Sequence, residues 1–217
     1  MSVARSLERR IEYLVEGMGA KVFRGQLHPL EVAIRLVREC ELSLAETGVG
    51  PTAPNQFVVS LNPDDLGADA AGAVIHLNTV INEAAFERGW RLEGAPAVTL
   101  ATEPYLTRGT VKVDARIVPG ELHPWVHLIE IHGPRRVPIK HNRAIIGRSR
   151  RADVVLGDSE ISRTHALVWQ EGGSAWIQDL ASANGTLLNN VRIDGPSALT
   201  DGDSVTLGRA RFGFRPT

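Results

Sequence analysis

The sequence predicts an α+β domain over residues 1–118, a short linker over 119–125 and an all-β sandwich over 126–217. Three observations carry this reading. Up to Val118, apolar residues at helical spacing alternate with β-type runs. Past Pro119 no helical period of useful length appears, and short strands recur between turns. A chain of 217 residues is also long enough for one large core or two modest ones.

In the first domain Leu7, Ile11, Leu14 and Met18 share one face of a helix that ends between Gly17 and Gly19. His28-Pro29 opens a second helix, with proline at its first position and Glu31 placed to suit the helix dipole. Its stripe is Leu30, Ala33, Ile34, Val37, Cys40 and Leu44, and Gly48 stops it. Gly48-Val49-Gly50-Pro51-Thr52-Ala53-Pro54 then reads as loop, and Gln56-Phe57-Val58-Val59-Ser60-Leu61 as strand. Asn62-Pro63-Asp64-Asp65 caps a third helix. Leu66, Val74, Leu77, Ile81 and Ala84/Ala85 carry it to Gly89, with a break near Gly72. Two strands close the domain, one at Ala97-Val98-Thr99-Leu100-Ala101 and one over 110–118. The second alternates, with Val111, Val113, Ala115 and Ile117 on one face and Lys112, Asp114 and Arg116 on the other.

In the second domain strands are expected over 126–131, 136–139, 144–146, 153–156, 166–170, 174–180 and 203–207. Gly133-Pro134, Gly172-Gly173, Gly195-Pro196 and Asp201-Gly202-Asp203 supply turns between them.

Composition narrows the function. With 43% hydrophobic and 23% charged residues the chain is globular, and no apolar run approaches a membrane span. The start, Met1-Ser2-Val3-Ala4-Arg5-Ser6, lacks the apolar core of a signal peptide, so a cytoplasmic location is expected. Cys40 is the only cysteine, which excludes an intrachain disulfide and any multi-cysteine metal site, and its place on an apolar stripe makes it a core residue. The seven histidines show no ligand spacing, and no Walker-type loop or dinucleotide fingerprint appears. No cofactor and no metal are therefore expected. A net charge of −1 argues against bulk nucleic-acid binding. The charge is uneven, however: 12 basic and 15 acidic residues precede Pro119, against 12 and 10 from there on. Arg143, Arg148, Arg150, Arg151 and Arg163 crowd one neighbourhood, a pattern suited to a small anionic ligand.

That neighbourhood holds three polar islands at strand ends: Gly147-Arg148, Ser162-Arg163-Thr164-His165 and Asn184-Gly185-Thr186. Loops at strand ends can converge on one rim of a sheet. A phosphothreonine brings roughly −1.5 to −2 charges and three acceptor oxygens. Arg148 offers a forked, permanently charged donor, Ser162 a compact hydroxyl and Arg163 a second cation. Asn184 presents a donor and an acceptor together, which suits reading a peptide backbone. Gly147 and Gly185 read as backbone requirements, His165 as a support for the Ser162 loop and Thr186 as a turn hydroxyl. Ser162 and His165 do not read as a nucleophile and base, because no partner carboxylate or oxyanion motif accompanies them. No catalytic residue is expected.

These islands, with Asn189, Asp153-Val154-Val155-Leu156, Gly202-Asp203 and Leu207-Gly208, resemble the forkhead-associated (FHA) domain family over about residues 126–215. The resemblance implies an eleven-stranded β-sandwich that binds phosphothreonine peptides through loops at one end, without catalysis. Carried over by position, Arg148 and Ser162 are phosphate contacts, Arg163 is an accessory contact and Asn184 contacts the peptide main chain. Two positions depart from the family's habit: Ala183 stands where Thr or Ser is common, and Asn190 where glycine is common. Residues 1–118, through Arg5-Ser6-Leu7-Glu8, Val22-Phe23-Arg24-Gly25 and His28-Pro29-Leu30-Glu31-Val32-Ala33, are similar to a domain of unknown function. That domain precedes FHA domains in actinobacterial signalling proteins linked to cell-wall control. The expected function is thus a phosphothreonine-binding adaptor in Ser/Thr-kinase signalling. Its partners would be threonine-phosphorylated proteins, among them a Ser/Thr kinase or its substrate, with no nucleic acid and no membrane insertion. The competing reading is a scaffold that binds a protein surface independently of phosphate.

Overall fold

The computed structural model describes residues 9, 11–14, 22–24 and 27–217. The chain divides into two compact units. One gathers Met1–Glu46, Pro51–Glu87 and Leu92–Glu121; the other gathers Leu122–Thr217 with Thr47–Gly50 and Arg88–Arg91.

The expected first helix lies largely outside the described residues, although Ile11, Glu12, Tyr13 and Leu14 are helical and Ile11 is buried. Helix α1 (Pro29–Leu42) starts as its sequence dictates. Pro29 needs no N–H partner at the first helical position, and the His28 Nδ1 accepts from the Leu30 N–H. The buried stripe is Val32, Ala33, Leu36, Val37 and Cys40. It is rotated from the expected one: Ile34 is exposed, Leu30 and Leu44 are only partly covered, and Val32 and Leu36 take their places. Cys40 is fully buried, and that burial pushes its thiol up to about 12, the chemistry of a core residue rather than a reactive one.

The stretch expected as loop is partly regular. Strands β1 (Ala45–Thr47) and β2 (Gly50–Thr52) form a small hairpin, with Gly50 at a positive φ of 107°. Pro51 is accommodated because a two-stranded sheet has only edges.

A three-stranded sheet follows, in the order β4-β3-β5. Strand β3 (Gln56–Leu61) is central, parallel to β4 (Ala97–Thr102) and antiparallel to β5 (Val111–Arg116). A parallel pair needs a crossover, and α2 (Ala70–Arg88) supplies it. The Asn62 cap opens only a 3-10 turn, Pro63–Asp65, and the helix expected from Asn62 begins at Ala70. The chain turns extended at Leu66, which bridges Phe23, and Asp69 recaps it by accepting the Gly72 N–H at 3.1 Å. The break therefore lies before the helix, and Gly72 sits inside its first turn. Along β5 the predicted alternation holds over Val111–Arg116, with the valines and alanine half-buried and Lys112, Asp114 and Arg116 exposed, but Ile117, expected on the same face as the valines, lies past the strand and is exposed.

The second unit is a sandwich of eleven strands in two sheets, the number the resemblance implies. One sheet has the order β14-β11-β10-β8-β9. Its strands are β8 (Ala144–Gly147), β9 (Val154–Val155), β10 (Ala166–Glu171), β11 (Ser174–Asp179) and β14 (Ser197–Leu199). The other runs β13-β12-β15-β16-β6-β7. It comprises β6 (Val126–Glu130), β7 (Arg136–Ile139), β12 (Thr186–Leu188), β13 (Val191–Arg192), β15 (Ser204–Leu207) and β16 (Ala210–Pro216). Ile146, Val168 and Ile177 from the first sheet, and Leu128, Val205, Leu207, Phe212 and Phe214 from the second, are buried. Trp125 meets the Phe214 ring edge-on. Strands β12, β13, β14 and β16 were not expected, and β9 is shorter than the run 153–156. Most pairs are antiparallel, but β8 and β9 run parallel, with Gly147 opposite Val155. That pairing leaves the loop after β9 beside the end of β8.

Candidate functional site

Gly147 is the last residue of strand β8, and nothing larger fits there. A Cβ there would lie 2.1 Å from the Arg163 carbonyl oxygen and 3.1 Å from that of Ser162. The β9–β10 loop thus passes directly over the end of β8, and backbone bonds fasten it. Arg148 N–H donates to the Ser162 carbonyl at 2.9 Å, Ser149 N–H to that of Arg163 at 3.2 Å, and His165 N–H to that of Ile146 at 2.9 Å. The first two islands, distant in sequence, become one piece of rim.

His165 is fully buried and ties in the third island. Its Nδ1 accepts from the Ser162 N–H at 3.0 Å, and its Nε2 is 3.1 Å from the Gly185 carbonyl. A backbone N–H must meet a lone pair and a carbonyl must meet a proton, so these partners assign the Nε2–H tautomer. Two further bonds close the same gap. Ala183 N–H donates to the Ser162 hydroxyl oxygen at 3.0 Å, and the Asn184 amide donates to the Glu160 carbonyl at 2.8 Å.

The β11–β12 loop is shaped by Asp179, at the last position of β11. Its carboxylate accepts the Ser182 N–H at 2.9 Å, the Ser182 hydroxyl at 2.7 Å and the Thr186 hydroxyl at 2.7 Å. The Ser182 oxygen in turn accepts the Gly185 N–H at 2.9 Å. Burial pushes the Asp179 carboxyl up, but these hydrogen bonds from Ser182 and Thr186 outweigh it and hold the group below its ordinary value. Gly185 adopts a φ of 76°, the left-handed conformation that glycine takes without strain. Thr186 is fully buried, its hydroxyl occupied by Asp179.

The sequence-level site residues sort into two groups. Arg148, Arg163 and Asn184 are exposed and Ser162 is half-buried, all on one contiguous rim. Gly147, His165, Gly185 and Thr186 are buried beneath it. The Ser162 hydroxyl accepts one bond, and its proton has no acceptor among the described residues. Arg143 is not on the rim. Its guanidinium donates to the Val49 and Gly89 carbonyls and lies 5.2 Å from the Trp169 ring centroid. Arg148, Arg150, Arg151, Arg163 and Arg192 are exposed and make no ion pair among the described residues. Both ring nitrogens of His165 are engaged by backbone, so the ring cannot take a proton from Ser162 without breaking the loop. Among the described residues no His, Cys, Asp and Glu cluster could hold a metal ion. The arrangement is suited to holding a polyoxyanion.

Sequence reasoning missed Asp179, Ser182 and Arg192. The Asp179-to-Ser182 spacing is that of an Asx-type loop, the signal that could have found the first two. Asn190, which stands where glycine is common, takes the left-handed conformation at a φ of 69°, beside Asn189 at 52°.

The family model described as the FhaA N-terminal domain matches residues 5–114, and that of the FHA domain matches residues 144–208. The transcriptional regulatory protein EmbR of Mycobacterium tuberculosis is 29% identical over 153 residues, 70% of this chain and 37% of that protein. The glycogen accumulation regulator GarA of Mycolicibacterium smegmatis is 38% identical over 68 residues, 31% of this chain and 42% of that one. The chain therefore spans less than half the length of either relative. A solved structure of M. tuberculosis EmbR in complex with a low affinity phosphopeptide is 32% identical and covers 42% of this chain and 24% of that one, at a TM-score of 0.41. Among the described residues no helix is long and apolar enough to cross a membrane.

Proposed function

Because the chain belongs to the family of FhaA N-terminal domains and carries an FHA domain after it, we propose that it is a non-catalytic, cytoplasmic adaptor in Ser/Thr-kinase signalling. Residues 126–217 bind a threonine-phosphorylated partner, a Ser/Thr kinase or its substrate. Residues 1–118 form the second module, joined through 119–125. The setting, implied by the family resemblance alone, is cell-wall control.

One observation carries the reading. The loop over Gly147 brings the exposed Arg148 and the Ser162 hydroxyl onto one rim, with no carboxylate paired to either among the described residues. Arg148 and Ser162 take the phosphate, Arg163 adds a cation, and Asn184, held by Glu160, meets the peptide main chain. Ala183 provides no hydroxyl, but its N–H orients Ser162 by donating to the hydroxyl oxygen. A hydrogen bond to a charged group is worth about 1.5–3 kcal/mol. Two or three of them, less the cost of ordering the peptide, correspond to roughly micromolar affinity.

Arg148→Ala is the decisive variant, since this side chain makes no hydrogen bond within the described fold. In a calorimetric titration it should bind a phosphothreonine peptide at least about tenfold more weakly than wild type. Equal binding by the variant, or by the unphosphorylated peptide, overturns the proposal.

A further inference from the structure

The rim carries more positive charge than one phosphate needs. A phosphothreonine brings roughly −1.5 to −2 charges. Arg148, Arg150, Arg151, Arg163 and Arg192 are all exposed and without ion pairs among the described residues. The nearby acids are spoken for: Asp179 by Ser182 and Thr186, and Glu160 by Arg209 at 2.6 Å.

Arg192 is set apart by its placement. It sits on β13 opposite Leu187 of β12, so the strand pairing fixes where its side chain starts. Its guanidinium crosses over Gly185. A Cβ on that glycine would lie 2.6 Å from Cζ and 2.9 Å from both Nε and Nη2. The absence of a side chain at 185 is what lets a cation rest beside Asn184. Asp194, two residues on, does not pair with it. An exposed guanidinium fork resting over Gly185, next to a residue assigned to the peptide backbone, matches the geometry of a carboxylate.

We propose that Arg192 is a specificity-determining residue that selects an acidic side chain flanking the phosphothreonine. This rests on the receptor reading given above. The partner is then a phosphothreonine with Asp or Glu close by in sequence, rather than any phosphothreonine.

The test uses a phosphothreonine peptide with neutral flanks and six relatives, each with one Glu at one of the three positions before or after the phosphorylated residue. Each is titrated against the full chain as wild type, Arg192→Gln, Arg192→Lys and Arg148→Ala. In wild type one Glu position should tighten binding roughly three- to tenfold over the neutral peptide. Arg192→Gln should abolish that gain while holding the neutral peptide within about twofold, and Arg192→Lys should keep only part of it, because an ammonium lacks the fork. The inference is overturned if no position gains in wild type, or if the gain survives Arg192→Gln. It is overturned too if that variant weakens all peptides equally, which marks a mere buttress of Gly185. Arg148→Ala separates the two claims. Undiminished binding of the neutral phosphopeptide by that variant overturns the receptor reading and this inference together; lost binding by that variant, alongside a Glu gain that survives Arg192→Gln, overturns this inference alone.

Discussion

His165 shows how one buried side chain can hold two loops of a rim together. It replaces, in a fully buried position, two bonds that water would otherwise make to the Ser162 N–H and the Gly185 carbonyl. Truncation to alanine leaves both groups buried without partners, at about 1–3 kcal/mol each, and adds a cavity. His165→Ala should therefore cost about 2–5 kcal/mol in chemical denaturation and lower phosphopeptide affinity as well. A loss below about 0.5 kcal/mol would show that the loops hold themselves. At this scale the sequence was informative where side-chain chemistry speaks directly. Arg148, Ser162 and Asn184, which the fold brings onto one rim with His165 beneath it, were legible from their types and order alone. Asp179 was not, because its role depends on three donors that only the folded loop brings together. Arg192 was not either, since only the strand pairing lays it over Gly185.

Among the elements, loops rather than strands form the rim; backbone bonds and His165 fasten the β9–β10 loop, and a carboxylate shapes the next one. Asp179 organises the β11–β12 loop, and Asp203 does the same at the β14–β15 turn. Burial pushes the Asp203 carboxyl up, but the Asn189 amide and the Thr200 N–H and hydroxyl hold it below its ordinary value. A carboxyl depressed in the folded state contributes stability that is fully present above its unfolded value, about 4. That contribution is lost as pH falls through the lower folded value. The sandwich should therefore lose stability below about pH 4. Asp179→Asn should start less stable at pH 7, because its amide meets the Ser182 and Thr186 donors, and should lose less on acidification. Denaturant midpoints at pH 7 and pH 3 check this, and equal acid losses in both proteins would remove Asp179 from the account. The strands missed in the sequence have a related cause. β13 is two residues and β12 three, too short for any period, and both lie inside a polar motif. β16 contains Gly213 and ends at Pro216, residues that argue against a strand; Pro216 is tolerated because β15 pairs only Ala210–Gly213, which leaves Pro216 paired to β6 on one side alone. The hairpin at 45–52 was hidden likewise by its own glycines and proline.

Over the whole molecule the charge is nearly balanced at −1, yet five arginines without ion pairs among the described residues lie in the β8–β9, β9–β10 and β12–β13 regions. Such a distribution affects encounter more than residence. Arg150 and Arg151 are exposed on the β8–β9 loop and take no place in the assigned phosphate contacts. On the proposed function they would raise the local concentration of an anionic peptide, an effect whose range shrinks from a Debye length of about 30 Å at 0.01 M salt to about 3 Å at 1 M. In stopped-flow measurements the association rate with a phosphothreonine peptide should fall roughly tenfold across that range, while the dissociation rate changes far less. Arg150→Ala with Arg151→Ala should flatten the salt dependence of association and leave dissociation near wild type. If salt acts mainly on dissociation, these two arginines are contacts rather than steering charges, and the phosphate site extends along the β8–β9 loop. An association rate indifferent to salt in wild type removes electrostatic steering altogether, leaving short-range hydrogen bonds at Arg148 and Ser162 to supply recognition.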